Sequence, residues 1–310
     1  MNLREKISIV IVNHNGADTL RPCIESILQS CVSGCPLFVI DNGSDDESVS
    51  MLETSHLPFT LICQDNVGYA EGANIGIRST HTPFVLIANP DIVFTSSFFE
   101  KLLHVMDSHP DTGAAGGKLL RWDKRNGIST RIIDSCGIVR SGCDFIDRGS
   151  GTTDRGQYDR QESVFALCGA AILLRREALQ NIAQTERGVE KVSYFEPSFF
   201  AYKEDIDLCW RMRKKGWRCL YEPSAVAWHI RSLQRGKGML QRLREKRRQP
   251  VFLRELSYRN HLRLLRRNEP HPTWKQRFER GFYIFRFAIF SLLFSPNSLR
   301  LVFRKTEILS

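Results

Sequence analysis

Apolar positions in the first 120 residues fall into short continuous runs that alternate with segments of helical period. Ile7–Val12 is six residues rich in β-branched side chains, the pattern of a strand buried on both faces. Thr19 then caps a segment in which Leu20, Ile24, Ile27 and Leu28 recur at helical spacing, ending near Ser30. Leu37–Ile40 reads as a second strand, closed by the turn cluster Asp41-Asn42-Gly43-Ser44. A short helix over Glu47–Thr54, a strand over Thr60–Cys63 and a helix over Glu71–Ser79 follow. Pro83–Ala88 is a fourth strand, Ser97–Ser108 a further helix and Gly113–Leu120 a further strand.

This rhythm predicts an α/β fold with a mostly parallel central sheet flanked by helices. Ligands of such sheets bind beyond the carboxyl ends of the strands. Polar clusters stand at four of those ends: Asn13 to Gly16, Asp41 to Asp45, Asp65 to Gly68, and Asn89 to Asp91.

The pattern changes after Trp122. Gly, Ser, Thr, Asp and Arg dominate as far as Gln161, which predicts loops and short hairpins, partly mobile. Val164–Leu167 and Ala171–Leu174 restore the core, followed by Arg175-Arg176 and a short helix. Asp205–Lys215 is an amphipathic helix stopped by Gly216; Arg218–Tyr221 and Val226–Trp228 read as strands, with His229 ending the second. Beyond residue 230 the chain reads as helical and basic, with 16 Lys/Arg among residues 231–280. Gly281–Phe294 is an apolar, aromatic run broken by Arg286, shorter than the ~20 residues a membrane span needs.

Charge sharpens this division. Residues 1–115 carry 5 Lys/Arg against 14 Asp/Glu, whereas residues 231–310 carry 20 against 5, within an overall net charge of +10. An acidic first half and a basic tail point to two jobs in one chain. Met1 to Lys6 is polar and the first apolar run too short for a signal peptide. The nine cysteines include no CxxC pair, and Cys31 with Cys35 has no second pair at zinc-ligand spacing, so reduced thiols in a cytoplasmic setting are expected.

Two acidic sites carry the candidate chemistry. Asn89-Pro90-Asp91 follows an apolar strand, and the proline ends the ladder and aims Asp91; one carboxylate plus substrate phosphates is the usual way to hold Mg2+ or Mn2+. Glu204, Asp205 and Asp207 crowd a helix start, where backbone N–H groups favour negative charge and keep a base ionised. The same acids make a good helix cap, and Asn-Pro-Asp makes a good turn. The Asp41–Asp46 cluster reads either as a helix-capping turn or, in a functional role, as a site where Asp41 accepts a hydrogen bond from a base N–H or a ribose hydroxyl. The Asp65–Asn74 segment is glycine-spaced, but the chain has neither a Walker-type ending nor GxGxxG.

The order of these motifs resembles the family-2 glycosyltransferases with the GT-A fold, especially their bacterial rhamnosyltransferase-like branch. The resemblance runs from Ile7 to about His229 on Ile-Val-Asn-His-Asn-Gly at 11–16, Asp-Asn-Gly-Ser at 41–44 and Asn-Val-Gly-Tyr-Ala at 66–70. Asn-Pro-Asp at 89–91, Glu-Asp-Ile-Asp-Leu at 204–208 and His229 complete it. It implies a catalytic domain over 1–230, with a nucleotide-binding half (1–120) and an acceptor half (121–230), and a basic amphipathic helical region over 231–310. Asn13, Asn15, Asp41, Asn66, Gly68, Asn74 and Asn89 would hold the nucleotide-sugar, linked to dTDP or UDP. Asp91 takes the place of the family's DxD carboxylate, with His229 completing the shell of a Mg2+ or Mn2+ ion. Asp205 matches the base of these inverting enzymes, with Glu204 beside it and Tyr202, Asp207 and Trp210 on the acceptor side. The QxxRW motif of processive synthases is not found, so one sugar is added per encounter. Rhamnose transfer to a glycan or lipid-linked acceptor in bacterial cell-surface polysaccharide synthesis, such as O-antigen, is what the branch implies.

Arg242, Arg244, Lys246, Arg247 and Arg248, followed by the aromatic run, suggest peripheral attachment to the anionic inner face of the membrane, where a lipid-linked acceptor would be found. The rival readings are a sugar-phosphate nucleotidyltransferase, a basic nucleic-acid-binding protein and an inactive scaffold. The first lacks a glycine-rich, cationic loop for a triphosphate. The acidic first half opposes nucleic acid, and Asp91, Asp205 and His229 oppose loss of activity.

Overall fold

The computed structural model describes residues 3–123, 128–185, 191–230, 250–294, 296–299 and 301. They divide into two compact units: the first takes the described residues of 1–139, 147–200 and 204–231, the second those of 140–146, 201–203 and 232–310.

The first unit opens with a helical turn, α1 (Leu3–Lys6), and β1 (Ile7–Asn13), then α2 (Ala17–Leu28), β2 (Leu37–Asn42), α3 (Ser48–Glu53), β3 (Thr60–Gln64) and α4 (Tyr69–Arg78). β4 (Phe84–Ala88), β5 (Ile92–Phe94), α5 (Phe98–Ser108), β6 (Thr112–Asp123) and β7 (Ile128–Ser135) follow. The chain then forms the short β8 (Ile138–Ser141) and β9 (Asp144–Asp147), whose residues 140–146 belong to the second unit. The first unit continues with β10 (Glu162–Ser163), β11 (Ala171–Arg175) and α6 (Arg176–Ile182). A small ribbon of β12 (Gln184–Thr185) and β13 (Val192–Ser193) leads to α7 (Glu204–Lys214) and β14 (Arg218–His229).

The main sheet runs in the order β10-β14-β6-β11-β4-β1-β2-β3, with β5 paired to β14 and β7 to β6. Pairs β4–β1, β1–β2, β2–β3 and β6–β14 are parallel, as the alternating pattern predicts. β11 lies antiparallel between β4 and β6, so the sheet is mixed rather than uniformly parallel. Every residue of β1 and β4 is buried, as strands covered on both faces must be. Ile7, Ile9 and Ile11 point to one face and share a core with Leu20, Ile24 and Ile27 of α2. On the other face α4 lies close, because a Cβ at Gly76 would stand 2.1 Å from Val10 Cγ1.

Two stretches differ from the sequence reading. β6 runs on to Asp123 and pairs with β7, so part of the 122–161 segment is ordered sheet, with Ile133 buried against Leu120. The two strands expected over 218–228 are one, β14, interrupted by a register shift between Glu222 and Val226 where Pro223 cannot donate to the ladder.

In the second unit α8 (Val251–Asn268) and α9 (Trp274–Phe294) accompany the 140–146 hairpin tip. Tyr258 stacks on Phe287 at 3.6 Å and His261 on Tyr283 at 3.9 Å. Arg140–Glu269 and Arg286–Asp144 ion pairs fasten the hairpin tip. The basic cluster at 242–248 lies outside the described residues.

Candidate active site

The ends of β1 and β2 are tied by a small hydrogen-bond network. Asp41 Oδ1 accepts from Asn13 Nδ2 at 2.8 Å and from Ser44 Oγ at 2.6 Å, and its Oδ2 accepts from the Ser44 amide at 3.0 Å. Asn15, at φ 54°, donates its amide to Ser44 Oγ at 2.9 Å and accepts from the Asp45 amide at 2.9 Å. Asn13 Oδ1 is buried without a hydrogen-bond partner among the described residues. Next along the rim, Asn42 Oδ1 accepts from the Gln64 amide group and the Val67 backbone, while its Nδ2 donates to Asn66 Oδ1 at 3.2 Å. Asn66 Oδ1 in turn accepts from Gly68 N at 3.1 Å. Asn13, Asn15, Asp41, Asn66 and Gly68 are thus brought to one edge of the sheet.

Asn74 is elsewhere. Its Nδ2 donates to Glu71 Oε2 and to the Phe195 carbonyl, and its Oδ1 accepts from the Tyr194 and Phe195 amides, which fills all four of its hydrogen-bonding positions. Asn89 works through its backbone, donating to the Ala170 carbonyl at 2.9 Å.

Asp91 and His229 meet because β5 pairs antiparallel with β14, placing His229 opposite Ile92, and Ile230 N donates to the Asp91 carbonyl at 2.8 Å. His229 Nε2 stands 3.2 Å from Asp91 Oδ1, and its Nδ1 is 2.9 Å from Asp134 Oδ2. Asp134, fully buried on β7, also has Arg121 at 3.5 Å. Burial alone would lower the His229 pKa. The charge of Asp91 and the hydrogen bonds to Asp134 and Asp91 outweigh it and raise the value to about 9.

A divalent cation fits these atoms. Asp91 Oδ1 is buried with the His229 Nε2 atom as its neighbour at 3.2 Å, and the imidazole has its other nitrogen held by a carboxylate, as metal-bound histidines usually do. The second unit holds another cluster of ligand types, Cys143, Asp144 and His261. There the thiol donates to the Glu279 carbonyl at 3.4 Å and the carboxylate pairs with Arg286 at 2.9 Å, so two of the three groups are already engaged.

The third part of the site is the start of α7. Asp205, half-buried, accepts from Gly169 N at 2.9 Å through Oδ2 and from Ile206 N at 2.8 Å through Oδ1. Glu204 is buried beside it. Phe200, Tyr202 and Lys203 have φ of 60°, 70° and 78°, conformations that cost a non-glycine residue about 1–3 kcal/mol each. Such strain just before the acidic helix marks a segment whose shape is fixed by its surroundings. Tyr202 belongs to the second unit and is exposed. Asp207 and Trp210, expected toward an acceptor, are interior: Asp207 is fully buried on Arg211 Nε at 2.7 Å, and Trp210 packs edge-on to Phe165.

Tyr69 is the site residue missed by the sequence reading, although it lies inside the 66–70 motif. Its hydroxyl donates to the Gly169 carbonyl at 2.9 Å, and burial, with the charges of Glu204, Asp205, Cys168 and Asp91, pushes its ionisation well above the ordinary range. Asp134 was also missed: it follows the short apolar pair Ile132-Ile133 in a stretch otherwise rich in polar residues, so it carried no distinct signal in the sequence.

A family model described as "Glycosyltransferase like family 2" matches residues 4–250. The chain is 25% identical over 255 residues to the N-acetylglucosaminyl-diphospho-decaprenol L-rhamnosyltransferase of Mycobacterium tuberculosis (strain ATCC 25618 / H37Rv), covering 76% of this chain and 79% of that protein. It is 27% identical over 256 residues to an N-acetylglucosaminyltransferase of Rhizobium sp. (strain N33), covering 78% of this chain and 52% of the relative. Among solved structures, GalNAc-T7 with UDP, GalNAc and Mn2+ superposes with a TM-score of 0.62 at 14% identity, covering 84% of this chain and 48% of that one.

Proposed function

The chain belongs to glycosyltransferase family 2 and has the GT-A fold, and from that premise we propose that it moves one sugar, L-rhamnose first among candidates, from a dTDP- or UDP-linked donor to a saccharide or lipid-linked acceptor, with inversion. The single observation that carries the proposal is Asp91 facing His229 at 3.2 Å with Asp134 behind the imidazole. The mycobacterial relative's name, which pairs L-rhamnose with a diphospho-decaprenol-linked acceptor, supports the choice of sugar and acceptor class, and on that reading the transfer belongs to cell-surface polysaccharide synthesis.

Asn13, Asn15, Asp41 and Asn66 bind the base and ribose at the sheet edge. Asp91 and His229 would hold Mg2+ or Mn2+, which supplies positive charge against the departing diphosphate. Asp205 takes the proton of the acceptor hydroxyl as that oxygen bonds to the anomeric carbon. The bond from that carbon to the diphosphate oxygen breaks on the opposite face, and the electron pair leaves with the diphosphate. Two backbone N–H groups hold the Asp205 carboxylate in one orientation for this task.

The enzyme works at the inner face of the membrane. Among the described residues no helix is long and apolar enough to cross a bilayer. α9 instead exposes Trp274, Phe278, Phe282, Phe285, Ile289 and Leu292, which recur at helical spacing along one stripe, with Trp274 82% exposed. Lys275 and Arg277 stand beside its aromatic end, the arrangement of a helix lying in an anionic lipid interface.

A panel of dTDP- and UDP-sugars with and without Mn2+ or Mg2+, read by thermal shift, tests the proposal. Metal-dependent stabilisation by a dTDP- or UDP-sugar is the expected result. Stabilisation by no donor would overturn it.

A further inference from the structure

The turn Cys168-Gly169-Ala170, just before β11, touches three motifs at once. Gly169 N donates to Asp205 Oδ2 at 2.9 Å, Tyr69 Oη donates to the Gly169 carbonyl at 2.9 Å, and Asn89 N donates to the Ala170 carbonyl at 2.9 Å. A Cβ at residue 169 would fall 3.0 Å from Asp205 Cβ, so only glycine lets the turn lie against that carboxylate without displacing it. The first turn of α4 grips the approach to α7 a second time. Gly68, at φ 84°, packs where a Cβ would meet Phe200 Cδ2 at 2.5 Å, and Ala70 N donates to the Phe200 carbonyl at 3.1 Å.

We infer that Tyr69 is a positioning residue for sugar transfer, its hydroxyl fixing the Gly169 turn whose N–H holds the Asp205 carboxylate toward the acceptor. This rests on the reading of Asp205 as the base. Tyrosine suits the task because a rigid ring carries one donor at a set reach, and burial with the surrounding carboxylates keeps that hydroxyl protonated. Losing the donor leaves Asp205 its bond from Ile206 N but frees the turn on its other side. A base must stand within hydrogen-bond reach of the acceptor hydroxyl, and misplacement by about 1 Å can cost roughly a hundredfold in rate.

The test is steady-state transfer by the full-length protein from dTDP-L-rhamnose to a synthetic N-acetylglucosaminyl-diphospho-lipid with Mn2+, for Tyr69→Phe, Gly169→Ala and Asp205→Asn. Tyr69→Phe should lower kcat roughly tenfold or more, leaving the donor KM within about twofold and the donor-induced thermal shift intact. A wild-type kcat would overturn the inference. So would parallel loss of donor binding and kcat, the mark of a merely structural role. Should Tyr69→Phe fail to fold, Gly169→Ala, whose methyl meets Asp205, decides by the same split. Asp205→Asn separates the two questions: brisk transfer by that variant removes the base itself. An inactive Asp205→Asn beside a fully active Tyr69→Phe removes only the positioning role.

Discussion

His229 is held between two carboxylates, with Nε2 3.2 Å from Asp91 Oδ1 and Nδ1 2.9 Å from Asp134 Oδ2. Asp134 therefore fixes which nitrogen faces Asp91. Replacing it with asparagine should keep the fold and weaken Mn2+ binding by about 10–100-fold. A Mn2+ titration of the donor-dependent thermal shift checks this. An unchanged midpoint would limit Asp134 to packing.

Glu71 anchors the other side of the sheet. Its carboxylate, 7% exposed, pairs with Arg78 and with Lys191 at 2.7 Å each and accepts from Asn74. Burial alone would raise its pKa, but the hydrogen bonds from Lys191, Arg78 and Asn74 hold it below the ordinary glutamate value. A depressed folded pKa means that the stabilisation is fully present above the unfolded value of about 4.3 and is lost as pH falls through the folded one. Glu71→Gln should cost about 1–3 kcal/mol at neutral pH, a difference that shrinks in acid. Denaturant unfolding at pH 7 and below pH 4 measures both; a gap that is constant with pH would refute the account.

Gly76→Ala should destabilise the protein by about 1–3 kcal/mol or more, because the added methyl would overlap Val10 Cγ1 at 2.1 Å in a packed interface. Pairing it with Val10→Ala should recover part of that loss. Melting temperatures of the two single variants and the double variant form the cycle. Full additivity would mean that α4 does not press on β1 at this point.

Phe278→Glu with Phe285→Glu places two charges on the exposed stripe of α9, where both side chains are more than half exposed. Melting temperature should stay close to wild type, while flotation with phosphatidylglycerol-containing vesicles should fall severalfold, from loss of both apolar contact and charge balance. Equal flotation of the variant would exclude this helix as the lipid contact.

The strands β1, β2 and β4 could be read directly because each is a mostly buried run, and β3 because it is a short apolar run between turn signals. Each has a polar cluster at its end, and those clusters located the rim that holds Asn13, Asp41 and Asn66. What could not be read depended on pairings between distant segments. β5 is three residues long, too short to display a period, yet its register on β14 is what brings Asp91 to His229. Asn74 looked like a ligand contact because it sits in a glycine-spaced motif; its four bonds go to Glu71 and to Tyr194 and Phe195, residues far along the chain. β14 was divided in the reading because Pro223 and Ser224 interrupt its apolar alternation, and the ladder passes over them by a bulge. Tyr69 carried no signal of its own, since its partner is a backbone carbonyl.

The place of β14 in the sheet also sets an order of events at the ribosome. This strand is the last of the first unit to be made, and it lies between β6 and β10 while capping β5. Until residue 229 clears the exit tunnel, β6 keeps one edge unpaired and Asp91 lacks its histidine. The nascent protein must carry that open edge through synthesis of everything from β7 to α7, an interval in which it would be a substrate for chaperones. Stalled chains ending near residue 215 should therefore be digested readily by protease, and chains extended past 260 should resist.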